Sequence, residues 1–302
     1  KDLGKFKEAE LSIRKAIKLK PDFADAYLNH GIILKELGNF KESEFSILKA
    51  IEFNPHWEAY FVYASLLFDK KEFDSSLYHL HRAKGLVPKA NLGTVEAAIK
   101  VISLTRTKLV NQNQLDHLKA SKKLNQEERN RLILKIPVDN ELISYLYSLK
   151  TNKLNETRHG DARFGEGLCS DFNLFEDKCS VIRKLETDLK QISKEALGKK
   201  EIIFDDSFFN IFTSGSGATP HNHISQQDNN FGLYLNKYSL VYYLEIGDQT
   251  GEDPGMLKLY NPDEEILPVN GMVVIINSRQ FHSVSYLGSK DRVMIGVNFY
   301  CF

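Results

Sequence analysis

The sequence has no net charge, few cysteines and no long apolar run, and each of these absences excludes a class of protein. Its 302 residues include 40 basic and 40 acidic side chains, so no overall field draws the chain to nucleic acid or to an anionic membrane. Its three cysteines cannot all pair with one another and show no CxxC spacing, which favours a reduced, cytoplasmic compartment. No run of about 18 apolar residues is present, so no segment is predicted to span a bilayer.

The beginning of the sequence, Lys-Asp-Leu-Gly, has no initiating methionine and no signal-peptide pattern. We therefore expect the sequence to be a piece of a longer protein. Its length is sufficient for two domains, each with a core of its own.

The first third of the sequence repeats itself. The segment Gly4–Ala9 recurs as Gly38–Ser43, and Pro21 recurs at the same offset as Pro55. A third copy follows at nearly the same offset and ends at Pro88. This pattern resembles the tetratricopeptide repeat, in which each copy forms a pair of antiparallel helices.

The resemblance covers residues 1–88 and predicts an all-α array whose first repeat lacks its first helix. Small residues at Gly31, Ala50 and Ala64 let neighbouring helices pack closely. A stack of this kind has a concave groove suited to a peptide or protein partner. Several polar and aromatic residues are candidates for that surface, with packing between helices as the alternative for each: Tyr27, Asn29, His30, Tyr60 and Tyr63.

The middle of the chain carries less information. Residues 89–155 show apolar side chains at helical spacing and are predicted to form a helical bridge. The glycine-rich segment His159–Gly167 is either a lid over an active site or a connector. The amphipathic stretch Lys178–Leu197 is predicted to be a helix.

The last part of the chain, residues 156–302, has a sequence pattern typical of an all-β domain. Short runs rich in β-forming residues alternate with turn residues and have no helices between them, which favours a sandwich or jelly roll with the preceding helix on its outer face. The predicted strands are Ile202–Phe204, Phe208–Phe212, Ser239–Glu245, Met256–Tyr260, Gly271–Ile276, Ser283–Tyr286 and Val293–Tyr300.

Three histidines in this domain have the spacing of a metal site. His221 and His223 are separated by a single residue, so both side chains point to one side of a strand, and His282 follows from a distant strand. Neutral imidazoles on one face suit Fe(II) and leave its other positions to a co-substrate and oxygen. The alternative is three unrelated surface or structural histidines.

Five short runs occur in an order that is typical of one enzyme family. The runs are Pro220–His223, Val241–Leu244, Gly255–Tyr260, His282–Val284 and Arg292–Met294. Together they resemble the 2-oxoglutarate/Fe(II)-dependent dioxygenase superfamily, especially its prolyl-hydroxylase-like branch and the bacterial and phage members with an HxH motif. The resemblance implies that the C-terminal part of the chain forms a double-stranded β-helix, a form of jelly roll.

The resemblance also implies a cofactor set. His221, His223 and His282 would bind iron. Arg292 would pair bidentately with the distal carboxylate of 2-oxoglutarate, and Tyr243 would donate its hydroxyl to the same group. The reaction would convert 2-oxoglutarate to succinate and CO2 while a peptide, protein or small-molecule substrate is hydroxylated. Asn210 and Asn298, on strands predicted to flank the site, are further candidates for cofactor binding. The alternatives are an ion pair for Arg292 and a core position for Tyr243.

One position departs from the family pattern. His223 stands where a carboxylate is usual, which leaves the site one unit more positive, and Asp228 is an alternative second ligand. The spacing from Gly215 to Asp228 also nearly satisfies the first cupin motif, although Pro268 and Gly271 do not satisfy the second. The cupin would act without 2-oxoglutarate. A third interpretation is a non-catalytic scaffold with a degenerate oxygenase fold.

Overall fold

The computed structural model describes residues 3–115, 131–156, 161–249 and 253–302. The chain divides into two compact units, Lys1–Ser121 and Lys122–Phe302. Parts of the predicted bridge and of the glycine-rich segment, at residues 116–130 and at 157–160, lie outside the described residues. None of the described helices combines the length and the apolar character that crossing a bilayer requires.

The described part of the first unit is helical. Antiparallel neighbours along the chain pack against one another, α1 on α2, α2 on α3, α4 on α5 and α5 on α6. The repeat array that the sequence predicts is therefore present. The helices are α1 (Leu3–Leu19), α2 (Ala24–Glu36), α3 (Phe40–Phe53), α4 (Trp57–Asp69), α5 (Phe73–Lys84) and α6 (Leu92–Leu115).

Small side chains let the helices of each repeat approach closely, as predicted. The Ser43 hydroxyl donates to the Gly31 carbonyl at 2.7 Å, and one repeat later the Ser76 hydroxyl donates to the Ala64 carbonyl at 2.6 Å. A Cβ at Gly31 would lie 2.5 Å from Cγ1 of Ile47, so a larger residue would push α2 and α3 apart. Ala50 is likewise fully buried.

The candidate groove residues of this unit divide into two groups. His30, Tyr60 and Tyr63 are buried, so packing between helices accounts for them. Tyr27 is half-buried and Asn29 is exposed. Only the last two remain available to a partner on the surface of the array.

The second unit contains two antiparallel sheets. The larger has the order β1-β10-β7-β12-β5-β4-β2 and the smaller β3-β6-β11-β8-β9. This is the predicted jelly roll, and it is accompanied by α7 (Asn140–Ser148) and α8 (Ser180–Leu197). The strands are β1 (Arg131–Lys135), β2 (Asn152–Lys153), β3 (Arg163–Phe164), β4 (Leu168–Cys169), β5 (Ile202–Phe212), β6 (Ser216–His221), β7 (Lys237–Glu245), β8 (Leu257–Tyr260), β9 (Glu264–Ile266), β10 (Met272–Asn277), β11 (Phe281–Tyr286) and β12 (Arg292–Cys301).

Three local predictions differ from the structure. The predicted helical bridge is wrong at Arg131–Lys135, because this run pairs with β10 as an edge strand. The two runs predicted at 202–204 and 208–212 form one strand, since all of β5 pairs with β12. Strand β6 was not predicted, because its Ser-Gly-Ala-Thr-Pro-His sequence has little intrinsic β preference and owes its conformation to pairing with β3 and β11.

Strand alternation separates the core from the site. On β12 the odd-numbered residues from Val293 to Phe299 pack in one apolar cluster with α7 and α8. The even-numbered residues Met294, Gly296 and Asn298 line a cavity between the sheets. Burying each large aliphatic side chain contributes about 1.5–3 kcal/mol, so the helix-covered face supplies a rigid support for the cavity. The thiols of Cys169, Cys179 and Cys301 are unpaired.

Candidate metal and co-substrate site

The three histidines come from two paired strands of the smaller sheet. His221 is the last residue of β6 and lies directly opposite His282 of β11 in the antiparallel register. His223 follows just beyond the end of β6, where its N–H donates to the Ser278 carbonyl at 2.9 Å. The pair thus lies at the end of a strand, with only His221 within it. Pairing of β6 with β11 is therefore what brings the distant histidine to the other two.

The three imidazoles converge. Ring centroids lie 4.4 Å apart for His221 and His282, and 5.0 Å apart for each of the other two pairs. The Nε2 atoms of His223 and His282 are separated by 3.2 Å. One ligand atom from each histidine lies within 4.8 Å of the others, a spacing that one metal ion can bridge.

Backbone carbonyls select the tautomer of two of the rings. Nδ1 of His221 lies 2.7 Å from the Thr219 carbonyl, and Nδ1 of His282 lies 3.0 Å from the Gln280 carbonyl. A carbonyl only accepts, so each Nδ1 carries the proton and donates it. The Nε2 lone pairs of both rings are therefore directed into the cluster, as metal ligation requires.

The environment keeps the imidazoles neutral. Burial lowers the pKa of His282 to about 4, and the nearby His221 adds to the effect. Burial, followed by the neighbouring His282 and His221, holds the pKa of His223 well below its usual value. The pKa of His221 is lowered as well, mainly by burial. Neutral nitrogen donors at physiological pH fit a divalent transition metal without a proton having to leave first.

Asn298 contacts the cluster from β12. Its Nδ2 lies 3.4 Å from Nδ1 of His223 and donates to the Asp206 carboxylate at 2.8 Å, while its Oδ1 accepts from the Ser239 hydroxyl at 2.6 Å. Burial, and then the charge of Asp205, raises the pKa of Asp206 to about 7. The structure thus brings Asn298 beside a proposed ligand, and its predicted role in cofactor binding stays a prediction.

Asp228 belongs to a different network. Its carboxylate accepts from Nζ of Lys237 at 2.9 Å and from the hydroxyls of Ser225 and Tyr300, and its side chain is fully buried. Lys237 also pairs with Asp205 at 2.7 Å. Asp228 is not part of the histidine cluster. This network argues against the alternative in which Asp228 replaces His223 as ligand, and that alternative stays a prediction to be tested.

The histidines open into a cavity of about 420 Å³ between the two sheets. Tyr243 lies on its wall and is only 2% exposed. Burial raises its pKa to about 12, so the hydroxyl keeps its proton. Within the described part of the chain, no side chain or backbone group hydrogen-bonds to this hydroxyl. Because Tyr243 lines the cavity and no described group accepts from its hydroxyl, this hydroxyl is a donor available to a ligand.

Arg292 lies on the same strand as Met294 but not among the residues that line the cavity. Its guanidinium is fully buried, stacks 4.4 Å from the Tyr286 ring centroid, and donates to the carbonyls of Ile246, Pro254 and Gly255. Burial lowers its pKa, and Tyr243 and Tyr286 are the groups whose interaction opposes that change. This arrangement does not test the pairing of Arg292 with 2-oxoglutarate, which stays a prediction.

Two cavity residues were not assigned chemistry from the sequence. Asp161 and Arg163 lie in the described part of the glycine-rich segment, and both line the cavity. Arg163 donates to the Asp161 carboxylate. It also donates, at 3.1 Å, to Oδ1 of Asn210, which the sequence predicts as a candidate for cofactor binding. An Asp-x-Arg spacing is common and does not by itself predict a binding site. The pairing of β3 with β6 is what places this segment on the wall of the cavity.

The first unit has a cavity of its own, of about 510 Å³. Its lining includes the cationic side chains Arg14, Lys18 and Lys41 together with Tyr27 and Phe45. Arg14 is already paired with Glu10 at 2.8 Å.

Solved structures of similar backbone shape were found for part of the chain. A prolyl-4-hydroxylase from Pseudomonas putida is 16% identical, with a TM-score of 0.42, and the match covers 57% of this chain and 93% of that one. A prolyl hydroxylase from Trichoplax adhaerens, solved with a hypoxia-inducible-factor peptide, is 15% identical with a TM-score of 0.42 and coverages of 66% and 92%. A viral collagen prolyl hydroxylase from Paramecium bursaria Chlorella virus-1, solved with 2-oxoglutarate, is 10% identical with a TM-score of 0.41 and coverages of 59% and 99%.

Comparisons of sequence add one family. No curated protein matches the chain. Residues 1–23 and 24–56 each match the family model described as tetratricopeptide repeat. The chain therefore carries tetratricopeptide repeats in its N-terminal part.

Proposed function

We propose that this chain is an Fe(II)- and 2-oxoglutarate-dependent dioxygenase that hydroxylates a peptide, protein or small-molecule substrate. The observation that carries the proposal is the convergence of three neutral imidazoles, within 4.8 Å of one another, on a cavity between the sheets. The same cavity holds the Tyr243 hydroxyl, which has no protein partner among the described residues.

His221, His223 and His282 would hold the iron. The two tautomers selected by Thr219 and Gln280 fit this role, since they direct Nε2 lone pairs into the cluster. When bound, iron with 2-oxoglutarate supplies oxygen activation and the oxidative decarboxylation that yields succinate and CO2. Three neutral ligands leave the full charge of the cation in place, and a dianionic co-substrate would neutralise it.

Tyr243 and Arg292 would bind the co-substrate. The Tyr243 hydroxyl would donate to the distal carboxylate. A guanidinium has five N–H donors, and backbone carbonyls occupy three of those of Arg292. Its contacts among the described residues are with neutral groups, so this buried charge lacks an anion there. A carboxylate that reaches the Arg292 guanidinium past Tyr243 would supply the missing negative charge. Both residues are therefore assigned to the distal carboxylate of 2-oxoglutarate.

The other walls of the cavity would exclude water. Apolar side chains from both sheets form most of the wall surface around the histidines. A dry cavity strengthens the hydrogen bonds from Tyr243 and protects the reaction from side products. These walls include Phe212, Leu257, Val284 and Met294.

We also propose that the repeat array binds a protein or peptide partner. Tetratricopeptide units present a concave surface, and among the candidate groove residues Tyr27 is half-buried and Asn29 is exposed. A pull-down with the array variant Tyr27→Ala should recover less partner than the wild type does.

The test of the catalytic proposal is an anaerobic titration of the Fe(II)-loaded chain with 2-oxoglutarate. The wild type should develop a visible metal-to-ligand charge-transfer band. His282→Ala removes a ligand that is only 6% exposed and should abolish the band together with stoichiometric iron binding. His81→Ala, an exposed histidine on α5, is the matched control and should retain both.

Each alternative predicts a different outcome. A wild-type protein that binds no iron and forms no succinate would be a scaffold. Metal-dependent oxygen consumption without added 2-oxoglutarate would favour the cupin. A band that persists in His282→Ala would mean that the ligand set is wrong.

A further inference from the structure

The cavity of the proposed oxygenase site contains a charge pair that the proposed iron and 2-oxoglutarate ligands do not include. Asp161 and Arg163 are the only Asp, Glu, Lys or Arg residues among the described residues that line the cavity. Their role rests on the proposed function only for the identity of the reaction.

Arg163 is held rigidly next to the histidine strand. Strand β3 places it opposite Ala218 of β6, and the Ala162 carbonyl accepts from the Thr219 N–H at 2.8 Å. The Thr219 carbonyl is the one that orients His221. A single backbone segment therefore fixes both the arginine and a proposed iron ligand.

The guanidinium is also fixed in its plane. Its Cζ lies 4.9 Å from the centroid of the Phe172 ring and 5.5 Å from that of Phe208. Gly296 provides the space for the second ring, because a Cβ there would overlap the Phe208 ring. Only 8% of the Arg163 side chain is exposed. An arginine stacked in this way loses little conformational entropy on binding a ligand.

The protein neutralises this cation but does not use all of its donors. Nε and Nη2 donate to the Asp161 carboxylate at 3.0 Å and 2.6 Å, and Nη1 donates to Oδ1 of Asn210 at 3.1 Å. One N–H on each terminal nitrogen then has no acceptor within the described part of the chain. A buried donor of this kind calls for an acceptor from a ligand.

The charge balance decides which acceptor fits. A carboxylate would face an arginine whose charge Asp161 already offsets, and the carboxylate would lose its hydration on entering an apolar cavity. A neutral carbonyl accepts the same hydrogen bonds at a much smaller desolvation cost. We infer that Arg163 orients the substrate by donating to an uncharged amide carbonyl, with Asp161 as the residue that excludes carboxylates.

Binding of small probes to the metal-free full chain tests this inference. The probes are N-methylacetamide, which is a small amide, N-acetyl-leucine N-methylamide, which is peptide-like, and N-acetyl-leucine, in which a carboxylate replaces the C-terminal amide of the second probe. The peptide-like amide should bind with a dissociation constant on the order of 1 mM, as expected for a fragment of its size. If this probe binds more strongly than N-methylacetamide, the substrate is a peptide or protein. If the two bind equally, the substrate is a small amide.

Two variants and one control distinguish the arginine from its surroundings. Arg163→Ala should weaken amide binding about tenfold. Asp161→Asn leaves the arginine in place but removes the opposing charge, so it should reverse the preference and bind N-acetyl-leucine better than its amide. Arg279→Ala, an exposed arginine outside the cavity, should behave like the wild type.

Several results would overturn the inference: no amide binding by the wild type, equal binding by Arg163→Ala, or an unchanged preference in Asp161→Asn. Because no metal or 2-oxoglutarate is present, a failure here is separate from a failure of the charge-transfer titration. Amide binding without a charge-transfer band would leave this site standing and reject only the oxygenase chemistry.

Discussion

Replacing Gly255 by alanine should disturb the buried arginine from the backbone side. Gly255 has a φ of +79°, and an added Cβ would overlap the guanidinium of Arg292. The substitution therefore combines two effects: left-handed backbone strain, and displacement of a side chain that donates to the Pro254 and Gly255 carbonyls.

A second glycine separates the two effects. Gly215 has a φ of +80°, and nothing lies within 4 Å of the Cβ that alanine would add. Gly215→Ala should cost about 1 kcal/mol of unfolding free energy from strain alone. Gly255→Ala should cost about 4 kcal/mol, because two hydrogen bonds from a charged donor contribute about 1.5 kcal/mol each in addition to the strain.

Urea unfolding of the metal-free proteins measures these costs, and the charge-transfer titration measures the affinity for 2-oxoglutarate. Gly255→Ala should raise the dissociation constant of 2-oxoglutarate about tenfold, whereas Gly215→Ala should leave it unchanged. If the two variants are equally stable and bind the co-substrate equally well, Arg292 is neither anchored by these carbonyls nor needed for the co-substrate.

Three further predictions concern separate parts of the site. Tyr243→Phe should change stability by less than about 0.5 kcal/mol, since the hydroxyl has no protein partner among the described residues, yet raise the 2-oxoglutarate dissociation constant about tenfold. Asp228→Asn should cost about 3 kcal/mol by leaving Lys237 with one carboxylate, while iron per folded chain stays the same; loss of iron would instead indicate that Asp228 is a ligand. His282 has a pKa of about 4 when folded against about 6.5 when unfolded, so its stabilising effect is complete above pH 6.5 and is lost as the pH falls towards 4. The raised pKa of Asp206 acts in the opposite direction, so the wild type has to be compared with a variant that lacks His282. Between pH 7 and pH 5, the unfolding free energy of the metal-free wild type should fall by about 2 kcal/mol more than that of His282→Gln. Equal decreases would contradict the lowered pKa of His282.

Long-period patterns made the repeat array and the β-domain predictable. The offsets that relate Gly31 to Ala64 and Ser43 to Ser76 mark equivalent helix contacts, and the structure repeats those contacts. Strand β6 gave no such signal. Its sequence favours no particular structure by itself, and it becomes a strand only by pairing with two others.

The histidine trio could be predicted because metal ligation needs particular side chains, and only nine histidines are present. The surroundings of those side chains could not. Asp228 has the right chemistry for a ligand, but its carboxylate is committed to Lys237 and Tyr300. Arg292 has the expected place on β12, but three carbonyls hold its guanidinium behind the cavity wall.

Residue identity and periodicity alone determined that this protein has a helical repeat array, a jelly roll and three candidate nitrogen ligands, because each leaves a periodic or chemical mark in the chain. Tertiary structure decided which charges neutralise each other. The pairing of Arg163 with Asp161, and the lack of an anion beside Arg292 among the described residues, depend on strand register and burial. Electrostatic interactions depend on distance and solvent exposure in space, and neither can be read from spacing along a sequence.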